Sequence, residues 1–233
     1  MLDRRSTDTL FMNSKWLRLA GLCLSGAGVL LMAQTHHETP TATDNDAILR
    51  ALLAGNQRFV AGQCRHPHAD GVRRSEIGGG QHPVAAVLSC ADSRVPPELV
   101  FDQGLGDLFV IRLAGNIPDD AAMGSLEYAA EHLGVHVAMV LGHKRCGAVE
   151  AAVKGGDAPG HIRMLVDAIM PAVAASKGMS GDLLDNAVRT NVSMASQRLR
   201  AAAPILSEMV KDKKLKIVGA YYDLDSGKVV VLP

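Results

Sequence analysis

The sequence predicts an α/β fold: a central, mostly parallel β-sheet with an antiparallel edge strand, flanked by helices. Three observations carry this. Apolar, β-branched runs at 84–89, 108–112, 136–141 and 216–222 read as buried strands. Segments with apolar residues at helical spacing lie between them, and strands alternating with helices pair in parallel. After the last run, Asp225-Ser226-Gly227 is a turn too short for a crossover, so a final strand at 228–232 returns as a hairpin.

Each element follows from its own signals. Ile48, Leu49, Leu52, Leu53, Phe59 and Val60 recur at helical spacing, and Asp44 or Asn45 can cap a helix there. Residues 63–81, with Pro67, Gly71 and Gly78-Gly79-Gly80, read as a loop. The first strand follows, and Pro96-Pro97-Glu98 starts a short helix or turn. After the second strand, Gly124 to Leu133 reads as a helix stopped by Gly134. Beyond the third strand a helix runs from Gly147 to Val153 and ends at Gly155-Gly156. Residues 161–177 and 182–211 are helical, with breaks expected near Pro171 and Pro204.

Composition sets bounds on partners. Apolar residues make up 48% and aromatics only 3%, so the core must rest on Ala, Val, Leu, Ile and Met. Basic and acidic residues cancel at 24 each, and no basic stripe exists to attract nucleic acid. The N-terminus differs from the rest. Lys15, Trp16 and Arg18 precede Leu19–Met32, an uncharged and mostly apolar run. It is short for a membrane span, which needs roughly 20 residues, and fits the apolar region of a signal peptide. We therefore divide the chain into 1–34, a signal peptide or N-terminal anchor, 35–44, a linker, and 45–233, the folded domain. This points to export to the periplasm, with an uncleaved membrane anchor or a cytoplasmic protein as alternatives. No stable membrane association is expected unless the leader is uncleaved.

Two strings carry the chemistry. Cys90-Ala91-Asp92-Ser93-Arg94 follows the first strand, and Gly142-His143-Lys144-Arg145-Cys146 follows the third. Parallel strands present functional loops at their carboxyl ends. If the two strands are neighbours, Cys90, Asp92, His143 and Cys146 meet at one point, and two thiolates, an imidazole and a carboxylate suit tetrahedral zinc. A closed site of four ligands is ordinarily structural. Asp92 is the exception, since Arg94 lies two residues on and can take the carboxylate in a bidentate pair, freeing the fourth position. From the residues alone a catalytic zinc, a structural zinc module and a Cys90–Cys146 thiol–disulfide pair all stay open. The last leaves Asp92 and His143 without a role.

These strings belong to a longer pattern: Gly55-Asn56-Gln57-Arg58-Phe59, Gln81-His82-Pro83, Cys90 to Val95, Phe101-Asp102, Gly106 to Val110, Ala114-Gly115-Asn116, Ser125 to Ala129, and Gly142 to Val149. With it, the chain resembles the β-class carbonic anhydrases from about Leu52 to Leu232. The resemblance implies the β-carbonic anhydrase fold, one zinc per chain on Cys90, His143 and Cys146, and Asp92 as an exchangeable fourth ligand held by Arg94 in the active state. It implies reversible hydration of carbon dioxide to bicarbonate and a proton by zinc-bound hydroxide, and assembly as a homodimer or higher homo-oligomer. Ala91 and Leu113 depart from common family residues, and neither is a ligand. A few relatives act on sulfur analogues of carbon dioxide.

Other features have plainer readings. His66 and His68 near Cys64 mimic a metal cluster but read as solvated loop residues. Asp107 is expected to cap or to orient a loop. The Asn191-Val192-Ser193 sequon falls in a helix and reads as coincidence. Met164, Met170, Met194 and Met209 are expected in the core.

Overall fold

The structure is a computed structural model and describes residues 44–233. The leader, and all of the linker except Asp44, lie outside the described residues. Five strands form one sheet: β1 (Ala85–Ser89), β2 (Leu108–Arg112), β3 (Val137–His143), β4 (Lys216–Tyr222) and β5 (Val229–Val231). Their order is β2-β1-β3-β4-β5, parallel except for the antiparallel β4–β5 pair. The chain steps from β1 outward to β2 and then back across to β3. The crevice between the carboxyl ends of β1 and β3 is therefore the point where strand order reverses, the place where open α/β sheets bind ligands.

Both faces of the sheet are covered, which is why the strands read as unbroken apolar runs rather than alternating ones. Ala86, Leu88, Ala138, Val140 and Ile217 face one layer, built from α4 (Asp120–His132), α7 (Leu183–Ala201) and α8 (Ile205–Lys211). Their neighbours Val87, Met139, Leu141 and Ala220 face the other, where α1 (Asn45–Val60) brings Leu52 and α3 (Pro97–Val100) brings Val100. This is the period of two expected of a strand. A third cluster, from α5 (Gly147–Lys154), α6 (Ile162–Ser176) and α7, surrounds Cys90 and Cys146.

α1 is tied down by polar groups as well as by Leu52. Asp44 caps it, accepting from the backbone N–H of Asp46 and Ala47. Buried Asn56 donates to the carbonyls of Val100 and Gly227 and accepts from the Val229 N–H, so its amide is fully used. Gly55 admits no side chain, because a Cβ there would lie 1.8 Å from the Phe101 carbonyl oxygen. Arg58 pairs with buried Asp102 at 2.5 Å. Burial alone would raise the Asp102 pKa, but Arg58 and the N–H groups of Arg65 and His66 hold it below the usual carboxylate range.

Four expectations need correction. The 63–81 loop contains a short helix, α2 (Gly71–Glu76), capped by Asp70. No residue of α2 is buried, so no apolar periodicity marked it. α4 begins at Asp120, four residues before Gly124, because Asp119 caps it through the Ala122 N–H. Pro171 does not break α6. Val166, Ile169, Ala172 and Val173 are buried on either side of it, and that packing outweighs the lost hydrogen bond. Finally, Met164, Met170 and Met194 are not core: they are 54%, 39% and 39% exposed. Met164 and Met194 line a surface groove of about 300 Å³ between α6 and α7. Met209 does pack against the core. The expected break near Pro204 occurs, between α7 and α8.

Candidate metal centre

The sequence places the two strings at the sheet's carboxyl edge by register. Ser89 of β1 aligns with Leu141 of β3, so Cys90 leaves the sheet beside the Gly142-His143 end of its neighbour. β3 presses closely on α7: a Cβ on Gly142 would meet Val192 Cγ2 at 2.3 Å. His143 ends β3, Arg145 turns the chain at φ 53°, and Cys146 stands at the N-cap of α5. The turn is held from outside. Lys144 and Arg145 both pair with Asp225 in the β4–β5 turn, at 2.9 and 2.5 Å. The Arg145 and Lys144 cations hold the Asp225 pKa well below the usual carboxylate range.

Cys90, His143 and Cys146 converge. Their ligand atoms lie within 4.8 Å of one another, and all three residues are buried. The two sulfurs are 3.9 Å apart, against about 2.05 Å for a disulfide. His143 Nδ1 sits 3.0 Å from the Lys144 carbonyl oxygen, which can only accept, so Nδ1 carries the proton. Nε2 is left as a bare lone pair, buried and without a hydrogen-bond partner. A buried ring nitrogen is rarely left so unless something else binds it. Two sulfurs about 2.3 Å from a tetrahedral zinc would themselves be about 3.8 Å apart. The donor chemistry and the spacing both fit zinc. The Cys146 S–H beside it holds the Cys90 pKa below the usual thiol range, while Cys90 and burial push Cys146 up.

Asp92 stands at the edge of this set rather than in it. Its carboxylate lies 3.7 Å from His143 Nε2 and is turned to Arg94, which donates Nε and Nη2 to the two oxygens at 2.9 and 2.8 Å. The Arg94 backbone N–H adds a third bond at 2.9 Å. Hydrogen bonding from Arg94 brings the Asp92 pKa down to about 2. The fork-on-carboxylate geometry is the one expected of arginine.

A family model described as carbonic anhydrase matches residues 85–229. Carbonic anhydrase 2 of Mycobacterium tuberculosis is 40% identical over 193 residues, covering 81% of this chain and 93% of the relative. The structure of the β-carbonic anhydrase CcaA superposes with a TM-score of 0.63 at 28% identity, covering 79% of this chain and 95% of that one. The chain belongs to the β-class carbonic anhydrases. A β-carbonic anhydrase from Coccomyxa, solved in complex with acetazolamide, superposes with a TM-score of 0.60 at 27% identity, covering 82% of this chain and 86% of that one. This chain is thus a carbonic anhydrase, an enzyme of carbon dioxide hydration.

Other residues fall into place around the carbonic anhydrase site. Cys64, His66 and His68 form no metal cluster; among the described residues only Cys90, His143 and Cys146 do. His68 is more than a solvated loop residue, because its ring binds Asp107 at 2.7 Å. Asp107 also accepts from the Gly104 N–H, so it orients a loop as expected. Sequence reasoning missed Arg112, which donates to the carbonyls of Cys90 and Asp92 at 3.1 and 2.5 Å and fixes the Cys90 loop. Nothing in a lone arginine at a strand end signals this. Asn191 is buried, against any glycan, and donates to the Gly115 carbonyl.

Proposed function

We propose that Cys90, His143 and Cys146 hold one zinc ion per chain, and that Asp92 and Arg94 control its fourth position during reversible hydration of carbon dioxide to bicarbonate and a proton. The observation that carries this is the orphaned Nε2 of His143, buried opposite two sulfurs at zinc spacing. Zinc bound there acts as a Lewis acid that lowers the pKa of water, the role already known for carbonic anhydrases whose zinc sits on three histidines. The protein's own groups do the rest. The Lys144 carbonyl fixes the His143 tautomer so that Nε2 points inward. The Arg94 fork keeps Asp92 ionised and turned aside, leaving room for water and carbon dioxide. Release of that fork would let the carboxylate reach the metal and close the site.

A structural zinc module would retain zinc without turnover. Chelation tests whether activity needs the metal at all. Stripping the metal should abolish hydration, and zinc alone should restore it. Activity untouched by complete metal removal contradicts the proposal. Activity should also rise from mildly acid to alkaline pH. Asp92, at about 2, does not titrate in that range, so the rise should survive in an Asp92→Asn enzyme.

Assembly as a homodimer or higher oligomer is part of the same proposal. β2 is an edge strand, and Leu105 before it and Tyr128 beside Phe109 are exposed. Two relatives of the same fold from Sordaria macrospora are described as tetrameric. A monomer by light scattering at micromolar concentration would overturn this. Export is likewise proposed from the 1–34 leader; among the described residues no helix is long and apolar enough to cross a membrane. N-terminal sequencing of the mature protein tests it, with cleavage near Ala33 expected and an intact Met1 contradicting it.

A further inference from the structure

Behind Cys90 runs a short relay of backbone. Leu113 donates its N–H to the Ser89 carbonyl at 3.1 Å, which brings the Ala114-Gly115-Asn116 turn up against the Cys90 loop. The Gly115 N–H then donates to Cys90 Sγ at 3.3 Å. Gly115 holds φ +73° and ψ 17°, a left-handed conformation, and a Cβ there would meet Ile169 Cδ1 at 2.6 Å. The direction of its N–H depends on that conformation. The carbonyl on the other side of the same residue is gripped by Asn191 Nδ2 at 2.8 Å. Asn191 reaches it from the middle of α7 and is only 6% exposed. Its neighbour Val192 packs against Gly142, one residue before His143. A single turn of α7 therefore backs both halves of the donor set.

We propose that Asn191 is a positioning residue for the Cys90 sulfur: by holding the Gly115 carbonyl, it keeps the Gly115 N–H aimed at that sulfur and so sets how tightly the metal is held. The proposal rests on the zinc reading above. A hydrogen bond donated to a coordinating thiolate changes its basicity and fixes its orientation, and loss of such outer partners typically costs about 10–100-fold in metal affinity. Asn191 never touches metal or substrate, and a purely structural tie would leave the metal's own properties unchanged.

The test uses the full chain with zinc or cobalt(II). Asn191→Asp keeps the size of the side chain but presents only acceptors to the Gly115 carbonyl, and Asn191→Ala removes the donor without adding charge. Met194→Ala, on an exposed turn of the same helix, is the control. Zinc affinity is read by competition with a chelator, and the sulfur environment by the thiolate-to-cobalt charge-transfer band. Asn191→Asp and Asn191→Ala should bind zinc about 10–100-fold more weakly, with a shifted charge-transfer band, while Met194→Ala matches the parent in both. If one Asn191 variant does not fold, the other decides. A folded variant with parental zinc affinity and an unshifted band overturns the proposal. A parent chain that binds no zinc overturns the zinc reading itself, which is a different result.

Discussion

The two loops that build the site differ in exposure. On the β3 side, His143 and Cys146 are 0% and 1% exposed, Gly142 is pressed by Val192, and Lys144 and Arg145 tie the turn to Asp225. On the β1 side Cys90 is buried, but two residues on, the side chains of Asp92 and Arg94 are 17% and 53% exposed. Their partners there are chiefly each other. The same sheet edge thus carries a buried donor set and, beside it, a more exposed carboxylate–guanidinium pair, which the proposed function makes the holder of zinc and the control of its fourth position.

The contrast predicts distinct failures. Cys146→Ala strikes the buried side and should lose zinc and hydration together, to background in metal analysis and stopped-flow assay. Substantial turnover without metal would break the comparison. Asp92→Ala strikes the exposed side and should keep one zinc per chain while hydration falls by about 10–100-fold, the cost typical of losing a group that tunes a metal site. Loss of zinc in that variant would make Asp92 part of the donor set. Gly142→Ala sharpens the difference in packing. Its Cβ would meet Val192 at 2.3 Å, so urea unfolding should report a loss of about 1–3 kcal/mol from overpacking. Asp225→Asn should have the smallest effect, since that carboxylate is exposed and its ion pairs are screened. Its pKa is lower folded than unfolded. Its contribution is therefore full above the unfolded value, about 3.9, and is lost as pH falls through the folded one. The parent and Asp225→Asn urea midpoints should differ slightly at pH 7 and converge in acid. A gap that widens in acid would contradict the assignment.

Much of this was legible in the residues. Continuous apolar runs gave away strands buried on both faces, and the short Asp225-Ser226-Gly227 turn marked the antiparallel edge. The convergence of Cys90, His143 and Cys146 was readable because neighbouring parallel strands deliver the loops that follow them to one edge of the sheet. What stayed hidden depends on tertiary partners. Pro171 continues a helix because residues either side of it are buried, and α2 left no apolar trace. Arg112 and Asn191 act through backbone carbonyls, which any residue supplies, so no spacing announces them. The exposed methionines of α6 and α7 have apolar side chains that sequence alone could only assign inward.

The most direct test of a buried donor set with an exposed control is Arg94→Ala, with zinc content and carbon dioxide hydration measured on the same full-length sample beside the parent. One zinc per chain in both, with hydration lowered at least about tenfold in the variant, is the result expected. Parental hydration at full zinc occupancy in Arg94→Ala would contradict the account.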